Sequence, residues 1–179
     1  MRTHFVEKKI DYDGSALKPL YSYIQHRLAG DSIVSFMGKC DVSPEHMVDA
    51  EDFVASAKIQ SDLMLHFIVE IFNQNLMTAV SLQRLLVAIA QSLLPPHLTR
   101  EGDDLYWDSK KLSVSIASVS AVSAMIHLGI NIKNDGTPVP TCCLEDLKIE
   151  PRKFALDLMK KFSDEYASIV EATQKVHPL

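Results

Sequence analysis

The sequence predicts an α+β fold, a mixed and largely antiparallel sheet packed with helices. Three observations predict it. Lys111 to Ala117 alternates polar and apolar with period two, the mark of a strand with one buried face. Two long segments carry apolar residues at helical spacing: Ala79, Leu82, Leu86, Ile89 and Leu93, then Phe154, Leu158, Phe162, Tyr166 and Ile169. Strand-like and helix-like runs follow one another without regular βαβ alternation, which disfavours a doubly wound sheet. A chain of 179 residues is expected to form one domain, residues 1–179, large enough for a core without staples.

The elements follow in order. His4 to Ile10 alternates loosely and ends at the turn signal Asp13-Gly14, so it reads as a strand. Ser15 to Leu28 has helical spacing, with Ser15 as N-cap and Gly30 past its end. Asp31 to Gly38 is a buried strand, and the polar Lys39 to Ala57 is loop plus a short helix. Leu63 to Phe72 is apolar throughout and reads as a central strand, with helix as the open alternative. Leu76 to Leu94 is the clearest helix, stopped by Pro95-Pro96. Leu98–Trp107, Lys111–Val119 and Ala124–Ile132 read as three strands, with a short turn at Asp108-Ser109 and another at Asn134-Asp-Gly136. Pro138 to Cys143 is a loop. Two helices close the chain, Cys143–Leu147 and Pro151–Lys175, the second with Pro151 at its first position.

Composition narrows the function classes. Hydrophobic residues make up 47% and charged residues 23%, ordinary for a globular chain. A net charge of −5 lacks the basic footprint of a nucleic-acid binder. The longest apolar stretch, Leu82 to Leu94, is interrupted by Gln83, Arg84 and Gln91 and is too short and polar to span a bilayer. Three cysteines, Cys40, Cys142 and Cys143, make no disulfide framework, and the N-terminus has no apolar signal region. A cytoplasmic protein with a small-molecule ligand is therefore expected, without nucleic-acid or membrane partners; a homo-oligomer stays open. None of the seven histidines sits in a zinc-binding spacing, and His66, within an apolar run, reads as a hydrogen-bonded core histidine.

Chemistry is concentrated in Gly102 to Ala117 (GDDLYWDSKKLSVSIA) and Ile126 to Ile132 (IHLGINI). A lysine at the mouth of a strand beside apolar walls is a compact cation suited to stabilising charge on an acyl carbonyl or a phosphate. Desolvation would lower its pKa, and a carboxylate such as Asp104 or Asp108 would oppose that. The alternative is that Lys110 and Lys111 are two solvated residues of a hairpin turn.

This stretch resembles the signature region of the biotin and lipoate protein ligases. Asp103-Asp104 stands where those enzymes have Asn-Asp, Asp108-Ser109-Lys110-Lys111 where they have a basic turn, and Gly129-Ile-Asn-Ile132 where they have a Gly-Ile-Asn-Val strand. The resemblance implies a ligase-like fold, Lys111 as the active lysine, and substrate-binding roles for Asp104, Lys110, Ser113, His127 and Asn131. Octanoyl transferases of lipoate synthesis give a second match, through Lys111-Leu-Ser, His127-Leu-Gly-Ile-Asn131 and Pro140-Thr-Cys142-Cys143. It implies Cys142 or Cys143 as an acyl-accepting nucleophile, with small buried loop cysteines as the alternative. Together they imply acyl or carboxylate transfer on a small molecule or acyl carrier. A non-catalytic metabolite-binding module on the same fold is the competing expectation.

One departure bears on ATP. Ligases of this class cradle the adenylate with a Gly-rich run, where backbone N–H groups approach phosphate. Here Cys40 to Asp52 occupies that place and is acidic. ATP could bind there only with a cation such as Mg²⁺ held by Asp49, Glu51 or Asp52. Over nearly its whole length the chain also resembles a family known as domain of unknown function 366, through the runs GDSIVSFMGKCDV, LMLHFIVE and KLSVSIA.

Overall fold

A computed structural model describes residues 1–177. Five strands form the main sheet: β1 (Arg2–Phe5), β2 (Ser32–Val42), β3 (Ile59–Phe72), β7 (Ser113–Val119) and β8 (Ser123–Asn131), in the order β1-β2-β3-β8-β7. Among these five strands β1 pairs with β2 in parallel, and the other neighbours pair antiparallel. A second sheet contains β4 (Thr99–Glu101), β5 (Asp104–Trp107) and β6 (Lys110–Lys111). The helices are α1 (Tyr21–His26), α2 (Ala50–Ala55), α3 (Leu76–Ser92) and α4 (Pro151–Thr173). The α+β class is what the sequence predicts.

The central strands are buried on both faces, which explains their continuous apolar character. All nine residues of β8 are buried. The period of two divides these residues between two layers. Ile33, Leu65, Phe67, Val69, Ile126, Leu128 and Ile130 pack with Leu86 of α3 and with Leu158 and Phe162 of α4 in the larger core. Val34, Phe36, Met64 and Ile68 point the other way and pack with Tyr12 and Tyr21. The register places His66 opposite Gly129, and His127 opposite Ile68, so both histidines lie on this second face. The helix-bearing face is filled mainly with hydrocarbon, with Gln83 of α3 as a buried polar exception. The opposite face carries His66, His127 and Asn131 and is roofed by loops and α2.

Several boundaries differ from expectation. The first strand stops at Phe5. From Val6 to Tyr12 the chain runs beside β2 with alternate hydrogen bonds to Ser35, Met37 and Lys39 carbonyls. Gly38 is needed there, because a Cβ would come within 1.9 Å of the Ile10 carbonyl oxygen. The expected helix from Ser15 shrinks to α1. Pro19 lacks an amide hydrogen, and Leu20 takes a left-handed conformation (φ 63°) with its N–H donated to the Glu70 carboxylate at 2.6 Å. Leu63–Phe72 is strand, not helix, extended back to Ile59. Leu98–Trp107 is a hairpin rather than one strand, turning at Gly102 (φ 62°). Residues 144–148 form turns, so the expected Cys143–Leu147 helix is absent.

The caps explain the two long helices. Asn75 Oδ1 accepts the Thr78 amide of α3 at 2.9 Å, and the Glu150 carboxylate accepts the Arg152 and Lys153 amides of α4. Asn75→Ala is expected to lower stability by about 1 kcal/mol in urea denaturation. An unchanged midpoint would mean that water replaces this cap without cost.

Candidate functional site

On the face of the sheet away from α3 and α4 lies a cavity of about 420 Å³, within the usual range for small-molecule sites. Its wall includes Asp104, Lys111, Ser113, His127 and Asn131, five of the residues singled out from the sequence. Three elements bring them together, with Ser113 at the start of β7. β8 supplies His127 and Asn131 from one face, four residues apart. The β5–β6 hairpin supplies Asp104 and Lys111.

The hairpin is built to place Lys111. Asp108 (φ 48°) and Ser109 (φ 64°) both adopt left-handed conformations, which a two-residue hairpin turn requires. The Lys111 amide donates to the Pro140 carbonyl at 3.1 Å, and the Lys111 carbonyl accepts the Cys142 amide at 3.1 Å. Asn131 Nδ2 also donates to that carbonyl, and to the Cys142 carbonyl, each at 3.3 Å. The backbone under the lysine is thus held from both sides. Its ammonium reaches Asp104 Oδ2 at 2.8 Å, with the side chains 31% and 22% exposed. Lys111 is therefore a paired cation in a concave site, not a solvated turn residue.

Burial alone would lower the Lys111 pKa, but the hydrogen bond and charge of Asp104 outweigh it, and the net shift is upward. The Asp104 carboxyl is also shifted upward, first by its own burial, against the pull of the ammonium. The two directions compete for one pair. At 2.8 Å both groups are charged near neutral pH, because a neutral partner would leave the other charge half-buried and uncompensated. Asp103, beside Asp104, is held by α3: Arg84 lies 3.1 Å from Oδ1, and Gln83 Nε2 donates to Oδ2 at 2.8 Å. Ser115 donates to the same oxygen at 3.2 Å. Ser113 Oγ accepts the Leu105 amide at 2.9 Å, tying the hairpin to the main sheet.

The remaining residues named from the sequence fall elsewhere. Lys110 is exposed and is not part of the cavity wall. Cys142 and Cys143 are buried and contribute nothing to its wall. Burial pushes the Cys142 thiol up to about 11 and raises that of Cys143 as well. Activation as thiolate nucleophiles is the reverse of what these surroundings do, so the implied nucleophile role has no support in the geometry. Cys142 Sγ instead donates to the Lys110 carbonyl at 3.4 Å. Two pKa units correspond to roughly hundred-fold less thiolate. Iodoacetamide at pH 7 is therefore expected to label Cys142 about a hundred times more slowly in the native than in the urea-unfolded protein. Equal rates, read by mass spectrometry, would restore it as a candidate.

Asp49, Glu51 and Asp52 line the cavity mouth. Asp49 caps α2, its Oδ1 accepting the Glu51 and Asp52 amides at 2.8 and 3.1 Å. Among the described residues no three His, Cys, Asp or Glu side chains converge as a metal-holding group. The wall as a whole carries five carboxylates (Asp49, Glu51, Asp52, Asp103, Asp104) against two ammonium groups (Lys58, Lys111), and no glycine lies in it. These residues do not fit a triphosphate, which needs cations and approachable backbone N–H groups.

Four neighbours were not anticipated from the sequence in these roles. Tyr12 stacks on His127 with ring centroids 3.8 Å apart, and His66 Nδ1 lies 3.1 Å from His127 Nε2. Gln83 and Arg84, seen only as interruptions of an apolar helix, fix Asp103. Nothing local marks such partners, because sheet register and helix packing bring them together from 19 to 115 positions away.

Similarity to known proteins agrees with this architecture. An uncharacterized protein of Methanocaldococcus jannaschii, MJ0805, is 38% identical over 185 residues, covering 98% of this chain and 84% of that protein. A solved protein of unknown function from Pyrococcus horikoshi superposes with a TM-score of 0.96 at 39% identity, covering 99% of this chain and 98% of the other. A mutant of the biotin protein ligase from Aquifex aeolicus, in complex with biotin, superposes with a TM-score of 0.55 at 13% identity, covering 96% of this chain and 72% of the ligase. Lipoate ligases superpose at comparable scores. At such identities the likeness shows the biotin/lipoate ligase-like fold. The family model described as Domain of unknown function (DUF366) matches residues 1–177, and the chain belongs to that family.

Proposed function

We propose that the chain binds a small carboxylate- or acyl-bearing molecule in this cavity and transfers its acyl group, with Lys111 countering the charge that develops on the carbonyl oxygen. One observation carries the reading: a constrained hairpin delivers the Lys111 ammonium into a concave site and holds it 2.8 Å from Asp104. A cation pre-oriented by a fixed partner needs no reorganisation as charge develops, which is where electrostatic catalysis gains most. The small ligands named for the ligase-like neighbours, biotin and lipoate, suit a site of this size. The acidic wall favours an acyl group that arrives already activated, as a thioester on a carrier, over one activated here by ATP.

Incubation with a panel of acyl thioesters and amine or thiol acceptors, followed by mass spectrometry, is expected to give acyl-transfer product that depends on Lys111. A parallel panel of free acids with ATP and Mg²⁺ is expected to give none. Product only in the ATP arm would overturn the preference for thioesters, and no product in either arm would overturn the enzyme reading.

The acidic, glycine-free wall favours a second reading, a module that holds a small metabolite without turnover. A ligand that raises the melting temperature while remaining chemically unchanged would support it.

A further inference from the structure

The tip of a hairpin is ordinarily the least held part of a strand pair. Between β4 and β5 the reverse is true. Glu101 pairs with Asp104, so Gly102 and Asp103 form the tip, and α3 and β7 grip it. Gln83 Nε2 donates to Asp103 Oδ2 at 2.8 Å and to Ser115 Oγ at 2.6 Å. Ser115 Oγ donates to the same Asp103 oxygen at 3.2 Å, which closes a ring of three hydrogen bonds. Arg84 meets the other carboxylate oxygen at 3.1 Å. Its guanidinium lies so close to the turn that a Cβ on Gly102 would come within 2.1 Å of Nη1. Glycine at the tip, in its left-handed conformation (φ 62°), leaves room for this grip.

Gln83 is 3% exposed, and the other buried residues of α3 are all apolar: Ala79, Leu82, Leu86, Val87 and Ala90. A buried amide costs free energy unless its hydrogen bonds are made, whereas a leucine would pack there unconditionally. What this amide reaches is the cavity. Gln83 is not part of the wall, but Asp103 and Ser115 are, as are Asp104 and Lys111. Asp104 follows Asp103 directly, and the next amide, that of Leu105, donates to Ser113 Oγ at 2.9 Å. Asp104 is thus held between two anchors, the Asp103 side chain before it and the Leu105 amide after it. Its Oδ2 meets the Lys111 ammonium at 2.8 Å. Arg84 offsets the charge of Asp103, which would otherwise repel the adjacent Asp104 carboxylate.

From this arrangement we infer that Gln83 is a positioning residue: through Asp103 it fixes where Asp104 stands, and Asp104 fixes where the Lys111 ammonium points. The inference rests on the acyl-transfer reading above and adds the part of the chain that aims its cation. Such support matters most where a charge must be in place before reaction, since a misplacement of about 1 Å can cost on the order of a hundred-fold in rate.

Three variants test it, each with its urea midpoint. Gln83→Met keeps the length of the side chain and removes the donor. It is expected to lower kcat for acyl transfer by about ten- to hundred-fold with KM within about two-fold. Gln83→Glu sets one carboxylate against another and is expected to lose at least as much. Gln83→Glu with Asp103→Asn restores the ring with donor and acceptor exchanged, and is expected to recover kcat to within about three-fold of the native chain. A shifted urea midpoint with unchanged kcat in Gln83→Met overturns the inference, as does a folded double variant no faster than Gln83→Met. A second readout needs no turnover. Burial lowers the Lys111 pKa, and Asp104, with Tyr106 and Asp103, raises it past its ordinary value. Loosening Asp104 should therefore move the titration of the Lys111 ¹³Cε resonance to lower pH in ligand-free Gln83→Met. An unmoved titration overturns the inference whatever the activity. A moved titration in a chain that transfers no acyl group leaves Gln83 as the residue that positions Lys111 and overturns the acyl-transfer reading alone.

Discussion

Lys111→Met is expected to lower the rate of acyl transfer by about 10²–10³-fold while leaving the fold intact. Methionine keeps the length and apolar stem of lysine, so the substitution removes the charge and little else. Losing one pre-oriented electrostatic contact to a developing oxyanion costs that much where it has been measured. The folding cost is expected to be small, about 1 kcal/mol, because both Lys111 and Asp104 retain contact with water. Asp104, already shifted upward by burial, would then shift further and take up a proton more readily. Lys111→Met with Asp104→Asn should therefore recover stability without recovering activity. Arginine should not substitute well, since its planar guanidinium cannot deliver a compact charge to the same point. The pH profile carries its own sign. The Lys111 pKa is raised, so the ammonium persists above 10.5, and no alkaline loss from this group is expected between about pH 7 and 9. Initial rates with an acyl thioester, alongside urea denaturation of each variant, decide the matter. A Lys111→Met protein retaining more than about a tenth of the rate would remove the lysine from the mechanism.

The sequence carried the fold class and named several of the residues that line the cavity, because both depend on local pattern. Period-two alternation at Lys111–Ala117 and the apolar stripes of α3 and α4 are written in adjacent residues. The hairpin that aims Lys111 is marked by Asp108-Ser109, residue types that tolerate left-handed conformations more readily than most. What was not legible depends on pairing at a distance. Whether Cys142 points into the cavity or behind it is decided by the Lys111–Thr141 bridge, a contact between segments thirty residues apart. The false helix at Cys143–Leu147 has the same origin. The Leu144 amide donates to the Asn131 carbonyl and the Glu145 amide to that of Ile132, so tertiary hydrogen bonds replace helical ones. In α1 the early start at Ser15 failed because the apolar spacing ignored Pro19 and the reach of Glu70 across the core. His66 read correctly as a hydrogen-bonded core residue, but nothing near it in sequence announced that half of its bonding would come from His127. That pairing follows from the register of β3 on β8, which no local pattern specifies to the residue.

The same imidazole pair should make the protein acid-sensitive well above the range in which carboxylates titrate. In the unfolded chain both histidines take up protons near pH 6.5. In the folded chain His66 resists until about 4, chiefly because burial penalises the charged ring, and His127 is shifted down as well by burial and by its neighbour. The sign follows from linkage. With folded values below unfolded ones, the unfolded state binds more protons as pH falls through about 6.5, so stability is fully present above that value and drains away toward pH 4. His66 alone contributes a loss of about 3 kcal/mol over that interval, from a shift of about 2.5 units at 1.36 kcal/mol each. His127 adds to it, and the two titrate as a pair because a proton on either ring disrupts their shared hydrogen bond. The charge of Asp11 and the carbonyls of Gly38 and Lys39 pull His66 the other way, but burial outweighs them, and the rings themselves are flanked by Tyr12 and Phe36. His66→Gln separates this effect from general acid denaturation. Glutamine can donate to the Gly38 carbonyl and accept from His127 Nε2, so it can keep the chain of hydrogen bonds while removing one titrating group. Urea midpoints of the native protein and of His66→Gln are expected to converge as pH falls from about 7 to 5, with the native protein losing stability faster. Parallel curves would mean that His66 already carries its proton in the folded state, and the assignment of the buried hydrogens would have to be reversed.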